Sequence, residues 1–214
     1  MTRRTSTQVT VFLIRHGETP YHAENRYAGR TDLPLTDRGQ AQALELGEWA
    51  AAARLSGIVA SPLRRARQTA EPVASKTGLD LVLDERLVEL DFGAADGLTA
   101  AEMREQFPAE RAAFEADPYS HPFPGGEAPC DALTRGRAAL ADLASGERGE
   151  RVLVVAHGTF LRIVLCDLLG LPPGRYRSAF PVIRNATGAV LRRTADSWGL
   201  VAWNPPLVLG AHSW

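Results

Sequence analysis

After a short polar opening, QVTVFLIR (8–15) packs Val, Phe, Leu and Ile into one run with almost no polar interruption. So short and so apolar a run predicts a buried strand. It stops abruptly at Arg15-His16-Gly17, although a strand that only fills a core has no use for a guanidinium and an imidazole at its end. Residues 16–35 hold Gly17, Pro20, Gly29 and Pro34 and predict a long ordered loop. Thr36 caps the next helix, in which Ala43, Leu46, Gly47 and Ala50 share one face. GIVAS (57–61) reads as a short strand. Ser61-Pro62 then predicts an N-cap with proline in the first turn, ahead of Leu63, Ala66, Ala70 and Val73 at helical spacing; Pro72 should kink or end that helix.

DLVLDERLVEL (80–90) predicts extended chain, and AADGLTAAEMREQF (94–107) begins another helix. Residues 107–129 are rich in proline, glycine and charge and suggest a lid or insertion. A helix near 127–145 leads to RVLVVAHG (151–158), the second strongly apolar strand. Leu161, Val164, Leu165 and Leu168 then form a helical stripe that stops at Gly170, before Pro172-Pro173. GAVLRRT and GLVAWN predict a closing pair of strands, and NPPLVLGAHSW (204–214) a tail. Strands alternating with helices define an α/β protein with a largely parallel sheet. In such sheets function gathers in the crevice at the carboxyl ends of the strands. Arg15-His16-Gly17, Ser61 to Arg65 and Ala156-His157-Gly158 all fall there.

Composition narrows the options. The chain has 214 residues, of which 45% are hydrophobic and 23% charged, so one fairly large domain is expected. A formal net charge of -1 gives no global field favouring nucleic acid or an anionic membrane. All basic residues except Lys76 are arginine, a bias that genome composition explains, so each arginine must be argued from its position. Cys130 and Cys166 have no metal-ligand spacing, and Cys166 sits in an apolar helical pattern. With neither a secretory h-region nor a membrane-length apolar run, the expectation is a reduced, cytoplasmic protein with no membrane or nucleic-acid partner.

An isolated histidine at a strand end is more often structural than catalytic. Two of them, each followed by glycine and accompanied by arginine, point the other way. Glycine removes a side chain where a ligand would approach and permits a tight turn. Arg15, with Arg64 or Arg65 at the neighbouring strand end, supplies forked donors suited to phosphate oxygens. Histidine among guanidinium groups is biased to its neutral form, the form that can attack phosphorus.

RHGET (15–19), SPLRRARQTA (61–70), LVELDFG (87–93), PGGE (124–127) and VVAHG (154–158) together resemble the histidine phosphatase superfamily, the phosphoglycerate mutase-like proteins. Arg26, Gly39, Gln42 and Asn185 also fall where that pattern expects them. The resemblance implies a three-layer α/β/α fold in one domain over 1–214, with a core at about 9–193, an insertion at about 94–126 and a tail at about 204–214. It implies that His16 is the phosphorylated nucleophile and that Arg15, Arg65 (rather than Arg64) and His157 complete the phosphate pocket. Glu89 would be the acid that protonates the leaving oxygen, and Arg26 would contact substrate at the mouth. No metal or other cofactor is implied. The chain departs from the pattern at His22, where asparagine is common, and at Ala95-Asp96-Gly97, where Trp-Glu-Gly is frequent. His22 has three readings: a substrate ligand, an auxiliary proton carrier or a solvated loop residue. His121 and His212 read as solvated.

The expected activity is metal-independent hydrolysis of a small phosphorylated metabolite through phosphohistidine. The nearest alternative is a bisphosphoglycerate-dependent mutase, but the segment between Glu89 and Pro124 looks too short to close over substrate. A non-catalytic phosphate-binding module is disfavoured by the intact set of His16, Arg15, Arg65, Glu89 and His157. A zinc hydrolase lacks an acid–histidine ligand spacing, and adjacent arginines would repel the ion. An RNA-binding reading fails on net charge.

Overall fold

The apolar run at the start of the chain forms β1 (Val9–Arg15), a central strand buried on both faces. A computed structural model of the chain describes residues 8–145, 149–194 and 197–206. The further strands are β2 (Gly57–Ala60), β3 (Leu81–Leu83), β4 (Arg151–Ala156), β5 (Gly188–Arg193) and β6 (Trp198–Trp203). They lie in the order β3-β2-β4-β1-β5-β6. β1 pairs with β4 in parallel, as β2 does with β3 and β4, whereas β5 and β6 close one edge antiparallel. The helices are α1 (Asp37–Ala52), α2 (Arg64–Thr77), α3 (Ala100–Gln106), α4 (Pro108–Ala116), α5 (Pro129–Ala144), α6 (Gly158–Leu168) and α7 (Tyr176–Ala179).

Alternation along β1 and β4 builds the layers. Phe12, Ile14, Leu153 and Val155 pack with Leu46 and Trp49 of α1 and with Ala66, Ala70 and Val73 of α2. Val11, Leu13, Val152 and Val154 pack on the opposite face with Leu140 of α5 and Leu161 of α6. Side chains two apart share a face, so one apolar run serves both cores. The result is the expected α/β/α arrangement.

Several local expectations are corrected. Ser61 does not cap α2; Leu63 occupies the N-cap position, and the Ser61 hydroxyl faces His157 instead. Pro72 lies inside α2, which continues to Thr77 and ends at left-handed Gly78. Only Leu81–Leu83 of the stretch 80–90 is strand, and Glu85–Leu87 turns as a 3-10 helix under an Asp84 cap. The segment 94–126 contains α3 and α4, the latter with Pro108 in its first turn. It buries Met103, Phe114 and Phe123 in the α5/α6 core, so it is packed structure. Residues 207–214 of the expected tail, including His212, lie outside the described residues.

Candidate active site

The ends of β1 and β4 are adjacent because those strands pair through Arg15 and Ala156. His16 follows directly, its N–H donating to Ala156 O at 3.0 Å. The Asn185 side-chain amide donates to His16 O at 3.1 Å, so the backbone of His16 is held from both neighbours. His157 follows β4 in the N-cap position of α6. The two imidazole centroids are 5.2 Å apart.

Hydrogen bonds set a different tautomer on each ring. His16 Nδ1 lies 2.7 Å from Gly17 O, which can only accept. The proton therefore sits on Nδ1, and Nε2 keeps a free lone pair. His157 Nδ1 accepts from Arg65 Nε at 3.2 Å, which leaves its Nε2–H to donate to Ser61 Oγ at 2.8 Å. Burial pushes both imidazole pKa values well below the usual range, and the charge of Arg65 adds to this in each case. Both rings are neutral at physiological pH.

Arg15 is aimed by Ile183 O, which accepts from Nη1 at 2.8 Å, and by His22 Nε2, 2.6 Å from Nη2. Its Nε is buried with no hydrogen-bond partner. Burial lowers the Arg15 pKa to about 10, partly offset by the charge of Glu89. His22, rather than being solvated, is locked between Arg15 and the Thr19 turn. Burial and then Arg15 lower its pKa to about 4.

Glu89 accepts from Leu90 N–H and Phe160 N–H through Oε1, at 2.9 and 2.8 Å. Its Oε2 accepts only from Thr159 N–H, at 2.9 Å. The carboxyl is thus fastened to the first turn of α6, where exposed N–H groups and the helix dipole suit a carboxylate.

Arg15, His16, His22, Arg26 and Glu89 line a cavity of about 390 Å³, together with Tyr27, Thr159, Arg162 and Arg177. Arg65 and His157 stand behind it, both fully buried. The Arg65 fork is occupied by the carbonyls of Ala28, Gly29 and Thr31, so it orders the loop after His16 as well as facing His157. Arg26 lines the mouth with every donor engaged, by Glu24, Glu102 and Gly97 O. Contact with substrate would require it to release one of these partners. Arg162 and Arg177 were not singled out by sequence reasoning; in an arginine-rich chain only their place in a cavity wall without a carboxylate partner among the described residues distinguishes them.

The glycines after the histidines serve packing as well as access. A Cβ at Gly17 would lie 2.7 Å from Gly39 O, and one at Gly39 would run into Glu18 O, so α1 and the loop after β1 meet backbone to backbone. A Cβ at Gly158 would meet Arg15 Nε at 3.3 Å. Among the described residues no group of three or more His, Cys, Asp or Glu side chains is placed to hold a metal. Nor is any helix among them long and apolar enough to cross a membrane.

Residues 11–206 match the family profile of the histidine phosphatase superfamily, branch 1. A probable phosphoglycerate mutase GpmB of Salmonella choleraesuis is 37% identical over 193 residues, 90% of this chain and 89% of the relative. A mycobacterial glucosyl-3-phosphoglycerate phosphatase superimposes with a TM-score of 0.81 at 30% identity, covering 92% of this chain and 99% of that one. A putative alpha-ribazole-5'-P phosphatase from Escherichia coli gives 0.85 at 25% identity, covering 95% and 99%.

Proposed function

The chain belongs to the histidine phosphatase superfamily, and from that premise we propose that it hydrolyses a small phosphorylated metabolite through a phosphorylated His16. The observation that carries this reading is the free lone pair of His16 Nε2 in a cavity that Arg15 also lines, its guanidinium without an ion-pair partner among the described residues. A nucleophile and a cation without a counter-ion together suit a phosphoryl group.

The phosphate dianion docks on Arg15, with the neutral His16 ring facing phosphorus. His16 Nε2 forms the N–P bond as the P–O bond to the leaving group breaks, and Glu89 gives its proton to the departing oxygen. A water then attacks phosphorus and loses its proton to Glu89. The N–P bond breaks, and inorganic phosphate leaves with His16 neutral again. Charge on the transferring group is met by guanidinium rather than by a metal. Arg65 and His157 act from behind, Arg65 holding the loop while burial, with the charge of Arg65 added, keeps both imidazoles uncharged.

The name carried by the Salmonella relative favours a second reading, phosphoglycerate mutase. Against it, no residue of 94–126 lines the cavity, which leaves the phosphohistidine open to water. Phosphorus NMR with 2- and 3-phosphoglycerate, each with bisphosphoglycerate added, separates the two. Release of inorganic phosphate, insensitive to EDTA and inhibited by vanadate, is expected from a broad phosphomonoester panel. Interconversion with negligible free phosphate makes the protein a mutase. A His16→Ala variant with full activity removes both readings.

A further inference from the structure

Arg162 and Arg177 share the cavity wall with Arg15, but neither has a carboxylate partner among the described residues. Several other partly buried arginines are compensated: Arg26 faces Glu102, Arg111 faces Glu115, and Arg135 faces Glu127. Arg162 and Arg177, like Arg65 behind the cavity, are held by neutral groups. Arg162 Nε donates to Gly158 O at 3.0 Å, and its guanidinium lies 5.3 Å from the Tyr176 ring centre. Arg177 donates to the hydroxyls of Tyr176 and Tyr27 at 3.1 and 3.0 Å and lies over Phe114. Both forks are therefore aimed in advance, and burying such charges without a counter-ion is unfavourable.

We propose that Arg162 and Arg177 form a subsite for a carboxylate on the substrate, so that the cavity selects phosphate monoesters bearing one further negative charge. This rests on the phosphatase reading of the same cavity. Three guanidinium groups without an ion-pair partner among the described residues line the cavity with one carboxylate, Glu89, while Arg65 stands behind it with its fork held by backbone carbonyls. When Glu89 carries the proton that it gives to the leaving oxygen, all three are free. A phosphate dianion plus one carboxylate then balances them. Arg15 serves the phosphoryl end beside His16, and Arg162 and Arg177 serve the other. Planar guanidinium forks match a planar carboxylate.

The test compares 3-phosphoglycerate with sn-glycerol 3-phosphate, which has a hydroxymethyl group in place of the carboxylate. The wild type is expected to favour the carboxylated ester by about tenfold or more in kcat/KM, the scale of one charge-assisted hydrogen bond. Arg162→Gln and Arg177→Gln are each expected to lose roughly that factor on 3-phosphoglycerate, with a less than about threefold change on glycerol 3-phosphate. Arg177→Lys should recover part of the loss, and thermal melts establish that each variant is folded. Equal losses on both esters, or no preference in the wild type, overturn the proposal. Calorimetric binding of 4-phosphonobutanoate against butylphosphonate needs no turnover. A retained preference there without any hydrolysis would sink the phosphatase reading alone; no preference sinks the carboxylate subsite. Tighter binding of propane-1,3-bisphosphonate than of 4-phosphonobutanoate also overturns it, in favour of a second phosphate.

Discussion

His22 Nε2 lies 2.6 Å from Arg15 Nη2, and since the guanidinium can only donate, the imidazole must accept. That contact helps fix the Arg15 guanidinium in the cavity wall. In the proposed reaction the loop position that departs from the family pattern would thus act on the phosphate through Arg15.

Removing the acceptor should loosen Arg15. His22→Leu is expected to lower kcat/KM by roughly 10- to 100-fold, the value of one hydrogen bond to a charged group. His22→Asn keeps an acceptor on a shorter side chain and should stay within several-fold of wild type. Steady-state kinetics on any good substrate would decide. Equal activity in all three proteins would show that Arg15 needs no such support.

The buried imidazoles make stability depend on pH. The pKa of His22 is lowered from 6.5 to about 4 in the fold, and those of His16 and His157 lie well below 6.5. The unfolded chain therefore binds more protons than the folded one once pH drops below about 6.5, and stability falls with pH. For His22 the loss is spread between 6.5 and about 4; above 6.5 these groups add no slope. Denaturant midpoints should decline from pH 6.5 to 5, less steeply in His22→Asn. A flat profile over that window would contradict neutral burial.

Glu89 anchors the start of α6 and, in the proposed reaction, also donates a proton; one substitution can separate the two. Glu89→Gln preserves shape at the start of α6 but has no proton to give. It should slow alkyl phosphates by about 10²- to 10⁴-fold, as expected for loss of a general acid. With p-nitrophenyl phosphate, whose leaving group needs little help, the loss should be far smaller. The same factor on both substrates would leave Glu89 only as an anchor for α6.

Gly39→Ala tests the contact between α1 and the loop after β1. Its new Cβ would run into Glu18 O, so backbone must move on one side or the other. A stability loss on the order of 1–3 kcal/mol is expected, as for overpacking elsewhere, together with reduced kcat/KM. Thermal melts and kinetics read the two effects separately. An unchanged protein would mean that loop and helix can separate without consequence.

The parts legible in the sequence were those whose chemistry is local. β1 and β4 announce themselves because strands covered on both faces need apolar residues throughout. Arg15, His16 and His157 stand out because they interrupt those runs. Ser61 was misread because Ser-Pro satisfies the local rules of a helix start, while its hydroxyl answers to a histidine far along the chain. Arg26 shows the same limit, since its partner Glu102 belongs to another element. α4 was hidden by charge and proline, although Pro108 sits in its first turn, where proline is well accommodated. Arg162 and Arg177 carry no local sign; what sets them apart is a cavity wall with no carboxylate partner for them among the described residues, which only tertiary structure reveals.

β1 is made early, yet both of its neighbours, β4 and β5, are made late. A nascent chain that has reached only the end of α5 therefore carries an apolar central strand with neither flank covered. It also has an Arg15-His16 pair with no second strand end to face. The ribosome delivers His16, the proposed nucleophile, first and its surroundings last, so a truncated product should be inactive and prone to aggregate, with no slow leak of activity. A stalled-chain series, released at successive lengths, should gain phosphatase activity abruptly after β5 has emerged.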